Sequence, residues 1–239
     1  EFLLANSVVS LPDDFLIHRI RFFSHIELTD EDIVKLSRLV RLADLNLRGV
    51  ELTDAFVERL ARISQLFILQ LDCREVTATT LVPLRRMSSL MHISFEGPPI
   101  DDRFVPMIAE LPVRELILWR AAVSHKCLPH LAKMRQLQWL QIKDCDLTNA
   151  DFTQLRSLTQ LEKLNLSDST LTDDCLRGLQ NLPGLKQLDL AGTPIDDRSV
   201  PQLAMLTQLS HLQLDGRMSA DAVQQLKNAL PNCTISAAP

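Results

Sequence analysis

Tyrosine is absent from the 239 residues, glycine occurs only six times, and aromatic residues make up 5% of the chain. So little glycine leaves no phosphate-cradling loop, and neither G-x-G-x-x-G nor a P-loop occurs. The five cysteines (Cys73, Cys127, Cys145, Cys175, Cys233) are odd in number, and separations of 54, 18, 30 and 58 residues match no C-x-x-C metal or redox pattern. A disulfide framework is not expected, and the apparently unpaired thiols favour a cytoplasmic setting. An excess of positive charge is also missing. The formal net charge is -5, which argues against a nucleic-acid partner. No run of eighteen apolar residues occurs, so no membrane insertion by this segment is expected. The opening Glu1–Ser7 lacks the basic region of a signal peptide. A start without Met leaves room for an anchor or leader further upstream.

What the chain has is a repeat. Leu28, Leu52, Val76, Ile100, Val123, Leu147, Leu171 and Ile195 recur at intervals of 24, 24, 24, 23, 24, 24 and 24. Before each from Leu52 onward stands a trio such as Leu137/Leu140/Ile142 or Leu161/Leu164/Leu166. After each follows another, such as Val57/Leu60/Ile63 or Leu176/Leu179/Leu182. Over seven units, these seven positions are apolar all 49 times in a chain that is 46% hydrophobic, which excludes chance.

The spacing Leu-x-Leu places two side chains on one face of a strand. The second trio, spaced 3 and 3, indicates a helical turn entered through Thr, Ser or Asp. Thr53, Thr148 and Thr172 are expected as caps, with Asp54, Asp102, Asp173 and Asp197 at the positive helix end. A strand and a helix of this size cannot bury their apolar faces alone, so the units must stack. An α/β solenoid follows, with eight or nine parallel strands on its concave face and helices on its convex face.

Leu161-Glu-Lys-Leu164-Asn-Leu166 and Leu185-Lys-Gln-Leu188-Asp-Leu190 resemble the L-x-x-L-x-L core of leucine-rich repeats, over roughly residues 18 to 235. The Leu-Thr-Asp helix entry is similar to that of bacterial members and, more distantly, of the ribonuclease-inhibitor type. The resemblance implies a right-handed horseshoe whose usual role is binding proteins. The family places Asn, Cys or Thr at a turn position that here reads Val50, Arg74, Pro98, Ala121, Cys145, Ser169, Thr193 and Arg217. Only Cys145 to Thr193 suit a hydrogen-bonded ladder, so looser turns are expected in the N-terminal half.

One domain over 1–239 is expected, with a degenerate cap and first unit in 1–39, regular repeats in 40–218 and a C-terminal cap in 219–239. Arg21 is assigned to a core strand position, Ser219 to the last anchor, and Pro231–Ile235 to a final short strand. The residue missing between Ile100 and Val123 is placed at Leu111-Pro112-Val113, shortening a turn without shifting the register.

Residues between the core leucines face the concave surface and form columns. The first is Asp44, Ile68, His92, Glu115, Trp139, Lys163, Gln187 and His211; the third includes Arg48, Asp72, Glu96, Trp119 and Lys143. Both tryptophans therefore stand on the open face with Ile117 between their columns, which core packing does not explain. They either cover neighbouring side chains or form a hot spot for a protein partner. On the second reading Ile68, Ile117, Trp119 and Trp139 are apolar anchors, and His92, Glu115, Arg120, Lys143 and Lys163 are the polar rim.

Arg48, Lys143 and Lys163 stand against Asp44, Asp72, Glu96, Glu115, Asp189 and Asp215 on these columns, an acidic excess suited to a basic partner surface. Asp72 with Glu96 has the look of a glycosidase carboxylate pair, but an open polar face gives nothing to desolvate either acid. His92 beside Glu115 reads as a surface pair. His125, Cys127 and His130 point in different directions on a helix and do not suit a metal. Cys127 and Cys175 share a repeat position two units apart, about 10 Å, too far for a disulfide.

The expectation is a monomeric, noncatalytic protein-interaction scaffold with no cofactor and no metal. The alternative is a regulatory or sensor module of a longer chain whose catalytic or membrane domain lies upstream.

Overall fold

The computed structural model of the protein describes residues 2–4, 17–22, 28–48, 50, 52–72, 77–97 and 100–237. Eleven strands form one sheet in chain order, every neighbouring pair parallel. They are β1 (Phe2–Leu4), β2 (Arg19–Phe22), β3 (Asp44–Leu47), β4 (Ile68–Asp72), β5 (His92–Glu96) and β6 (Glu115–Trp119). The rest are β7 (Trp139–Lys143), β8 (Lys163–Asn165), β9 (Gln187–Asp189), β10 (His211–Leu214) and β11 (Thr234–Ala237). The count exceeds the eight or nine expected because β1 and β11 extend the sheet beyond the regular repeats. The leucine pairs register directly, as in Leu140↔Leu164 and Leu164↔Leu188. The short unit keeps its register, with His92 opposite Glu115. Of the 49 repeat positions, Val76 lies outside the described residues and Val200 is half-buried; all the others are buried.

The opposite layer mixes two kinds of helix. α1 (Asp30–Arg38), α2 (Asp54–Leu60), α3 (Val105–Ile108), α4 (Leu128–Leu131), α5 (Val200–Leu203) and α6 (Ala220–Ala229) are α-helical. Ala78–Arg86, Phe152–Ser157 and Asp173–Asn181 are 3₁₀ segments. Apolar residues at 0, 3 and 6 keep one face for three residues per turn, the 3₁₀ period, and the same spacing serves the short α-helices of the other units. Pro106, Pro129 and Pro201 sit in the first turns of the three shortest α-helices, where the missing N–H costs nothing.

Thr29 and Thr53 cap as sequence chemistry suggests, accepting from the N–H groups of Asp32 and Phe56. Thr148 and Thr172 do not. Thr148 Oγ1 donates instead to Asp146 at 2.7 Å, and Asp151 caps the following 3₁₀ segment. The four aspartates assigned to helix dipoles have a second use. Each carboxylate accepts from the next unit: Asp54 from Thr80, Asp102 from Ser124, Asp173 from Ser199 and Asp197 from the Ser219 N–H. They fasten successive units along the helix entries.

Two end assignments are corrected. Ile20 and Phe22 are the buried side chains of β2, while Arg21 pairs with Asn46 and is only half-buried. The first unit is one residue longer than the repeat, since Ile20 pairs with Leu45 twenty-five residues on, and a fixed offset from Leu28 therefore lands one residue late. At the other end Met218 is buried in the anchor position and Ser219 is the helix cap, so that unit is one residue short.

The turn ladder runs where expected. Ser169 Oγ accepts from the Cys145 N–H at 3.1 Å and donates to the Ile142 carbonyl at 3.0 Å. Thr193 Oγ1 donates to the Leu190 carbonyl. Val50 and Ala121 fill the equivalent positions as buried apolar groups. Arg74 and Pro98, like Cys73, lie outside the described residues.

Candidate protein-interaction face

Parallel pairing at a repeat step of 24 residues stacks equivalent side chains on adjacent strands, so the middle of the sheet becomes a grid. Ile68, His92, Glu115, Trp139 and Lys163 are successive Cα partners along one row. Glu96, Trp119 and Lys143 form another, and Ile117 lies between the rows. Eight of the nine expected contact residues thus share the concave face of β4 to β8. The ninth, Arg120, stands just past β6 at its C-terminal rim.

The indoles are neither buried nor bare. Trp119 and Trp139 are half-exposed. The guanidinium carbons of Arg48 and Arg120 lie 5.6 and 5.1 Å from the Trp119 ring centre. The Lys163 ammonium is 5.7 Å from the Trp139 ring centre, and His92 meets that ring edge-on at 6.2 Å. Each indole covers neighbouring side chains and stays half-exposed. Held cations also orient the rings, which lowers the ordering cost of binding.

Most of the acids read from the columns are engaged by neighbours. Glu96 pairs with Arg48 at 3.5 Å, Glu115 with His92 Nδ1 at 2.8 Å, and Asp215 with Arg217 at 3.6 Å. Asp44 is buried against Arg19, and Asp189 accepts from Asn165 at 3.0 Å. A residue count along a column misses partners that reach across two strands or wait beyond a strand end. The register places Asp72 beside Glu96, and Glu96 is committed to Arg48.

Sequence reading overlooked a further column. Gly97, Arg120, Asp144, Asp168 and Gly192 occupy one repeat position at the C-terminal rim of the sheet, all with positive φ between 53° and 113°. Four of the six glycines, Gly49, Gly97, Gly192 and Gly216, fall at this repeat position, so the signal was present. In the left-handed conformation Arg120 reaches Asp144 at 3.4 Å, and the row is tied further by Lys143 to Asp168 at 3.2 Å. Phe67 was also overlooked; it is 48% exposed beside Ile68 at the other edge of the sheet.

The residues weighed for metal binding do not converge. Cys127 is fully buried, and among the described residues no cluster of three or more His, Cys, Asp or Glu could hold a metal ion. Burial raises the Cys127 thiol pKa, and it pushes that of Cys145 up to about 12. No helix among the described residues is long and apolar enough to cross a membrane.

A family model described as leucine rich repeat matches residues 135–195, the most regular units. No curated protein matches the chain. Among solved structures, an internalin from Listeria monocytogenes is similar over 91% of this chain and 72% of its own length, with 19% identity and a TM-score of 0.51. Internalin C2 from the same organism is similar over 76% of this chain and 74% of its own, with 26% identity and a TM-score of 0.56. Repeat spacing, parallel sheet and structural likeness agree: the chain has the fold of a leucine-rich-repeat solenoid.

Proposed function

We propose that the chain is a noncatalytic scaffold that binds a protein partner on the concave face of β4 to β8. The observation that carries this reading is the pair of half-exposed indoles, Trp119 and Trp139, on adjacent strands of a face whose core needs neither. Ile68 and Ile117 extend the apolar surface, and His92, Glu115, Arg120, Lys143 and Lys163 surround it. Large aromatic side chains inside a polar rim are the usual composition of an interface hot spot. The scaffold suits the role: a rigid parallel sheet fixes the anchors without a mobile loop.

The test is quantitative capture of partners by the wild-type protein and by a Trp119→Ala, Trp139→Ala variant, followed by measured affinities for the proteins recovered. Each truncation is expected to weaken binding by about 2 kcal/mol, a hot-spot magnitude. A specific partner whose affinity is unchanged in the double variant places the interface elsewhere.

A further inference from the structure

Beyond the indole pair, toward the C-terminal end of the same face, lies a groove of about 340 Å³ between Trp139 and the Thr234 and Ser236 side chains of β11. We propose that this groove binds a neutral, polyhydroxylated ligand, a short oligosaccharide chain; it shares Trp139 and Lys163 with the protein interface proposed above and continues past it to β11.

The groove crosses β7 to β11, four strand spacings or about 19 Å, enough for several linked sugar rings. One end wall is the Trp139 indole, a flat apolar surface on which the C–H face of a sugar can stack. The rest is polar. The floor leucines Leu164, Leu188 and Leu212 are at most 2% exposed, so an apolar ligand would find little to cover.

The polar groups are planar and already oriented. Asn165 Nδ2 donates to Asp189 Oδ2 at 3.0 Å, while Asn165 Oδ1 accepts from the Ser167 N–H at 2.9 Å. Asp189 Oδ1 accepts from the Ala191 N–H at 3.0 Å. Both side chains are held from below, yet the Asn165 amide has a second N–H and the carboxylate has further lone pairs. Gln187 and His211 are exposed above them, and the His211 Nδ1 contact with Ser210 Oγ at 2.9 Å leaves Nε2 for a ligand. Donors and acceptors side by side in fixed planes match hydroxyl groups, each of which donates and accepts.

Other ligand classes fit less well. Among the described residues Asp189 is the only carboxylate lining the groove, too few ligands for a cation. Lys163 and His211 stand two strands apart, about 10 Å, and cannot grip one phosphate together. The Lys163 ammonium rests over Trp139 without an ion pair, and its long exposed side chain can swing aside to admit a sugar ring.

Only two tryptophans occur, so a Trp119→Phe variant makes Trp139 the sole indole and its fluorescence a direct report from the groove. This protein is titrated with maltotriose, cellotriose, chitotriose, mannotriose and xylotriose up to about 10 mM, ten times the dissociation constant of a 1 mM site. At least one is expected to give a saturable change. Adding Gln187→Ala and His211→Ala, with the fold checked by circular dichroism, should weaken it about tenfold or more. No saturable response, or one unaffected by the Gln187 and His211 changes, overturns the proposal. The two readings fail separately: Trp119→Ala reads the protein interface and does not touch this groove, and Gln187 and His211 lie outside that interface.

Discussion

Replacing Gly178 by alanine tests how closely the helical layer stacks. Gly178 lies inside the 3₁₀ segment Asp173–Asn181, against the preceding segment Phe152–Ser157. A Cβ at this position would stand 2.2 Å from the Thr153 nitrogen and 2.4 Å from the Phe152 carbonyl carbon, where ordinary contact is 3.4–4 Å. The obstacle is backbone, so the units must separate by about 1 Å or the segment must shift, an overpacking cost of about 1–3 kcal/mol and occasionally more. Alanine's better helical propensity returns up to about 1 kcal/mol. With both neighbours unable to rotate away, the upper part of the range applies and a net loss of roughly 2 kcal/mol is expected. Urea unfolding followed by circular dichroism measures it. Amide exchange should show the loss concentrated over residues 152–182, because a solenoid loses cooperation first at a weakened interface. A Gly178→Ala protein as stable as wild type would refute backbone-to-backbone packing of these units.

Ser169→Ala removes the acceptor of the buried Cys145 N–H and should cost about 1–3 kcal/mol in the same urea assay, with Ser169→Thr retaining part of the bond. Leu140→Ala, at a fully buried position, should cost about 2–5 kcal/mol, whereas Trp119→Ala should cost much less, since its stacked cations are worth about 0.5–1 kcal/mol each at an exposed site. Equal losses for the two would make Trp119 a core residue. The thiols should separate by reactivity: burial raises the pKa of Cys127 and lifts Cys145 to about 12, so at pH 8 neither forms appreciable thiolate, and Cys175 is likewise shut off from reagent. Half-buried Cys233 should be modified by a thiol reagent well before these three, and intact mass without reductant should show no internal bridge.

The repeat itself determined the fold. An apolar trio of the form L-x-x-L-x-L every 24 residues admits a parallel stack and little else, because any other pairing would expose one leucine face in each unit. The period also fixed the concave columns, and with them the positions of Ile68, His92, Glu115, Trp119, Trp139 and Lys163, since side chains alternate along every strand. The helical layer was legible in the 3 and 3 spacing, and the left-handed positions at Gly97 and Gly192 in the recurrence of glycine at one repeat position. These features repeat, and repetition makes them visible without coordinates.

Tertiary structure alone decided what does not repeat. Which acids are free depends on side chains reaching between strands, as Arg48 does to Glu96 and Trp119. The ends departed from the period by one residue, so Arg21 and Ser219 were misplaced by any fixed offset, and burial of Ile20, Phe22 and Met218 chose the register instead. Gly178 shows the same limit: nothing in its local sequence marks a residue whose Cβ would strike the backbone of the preceding unit. Periodicity states which face each residue occupies; the distances between neighbouring units, set by how their particular side chains pack, state what that residue can touch.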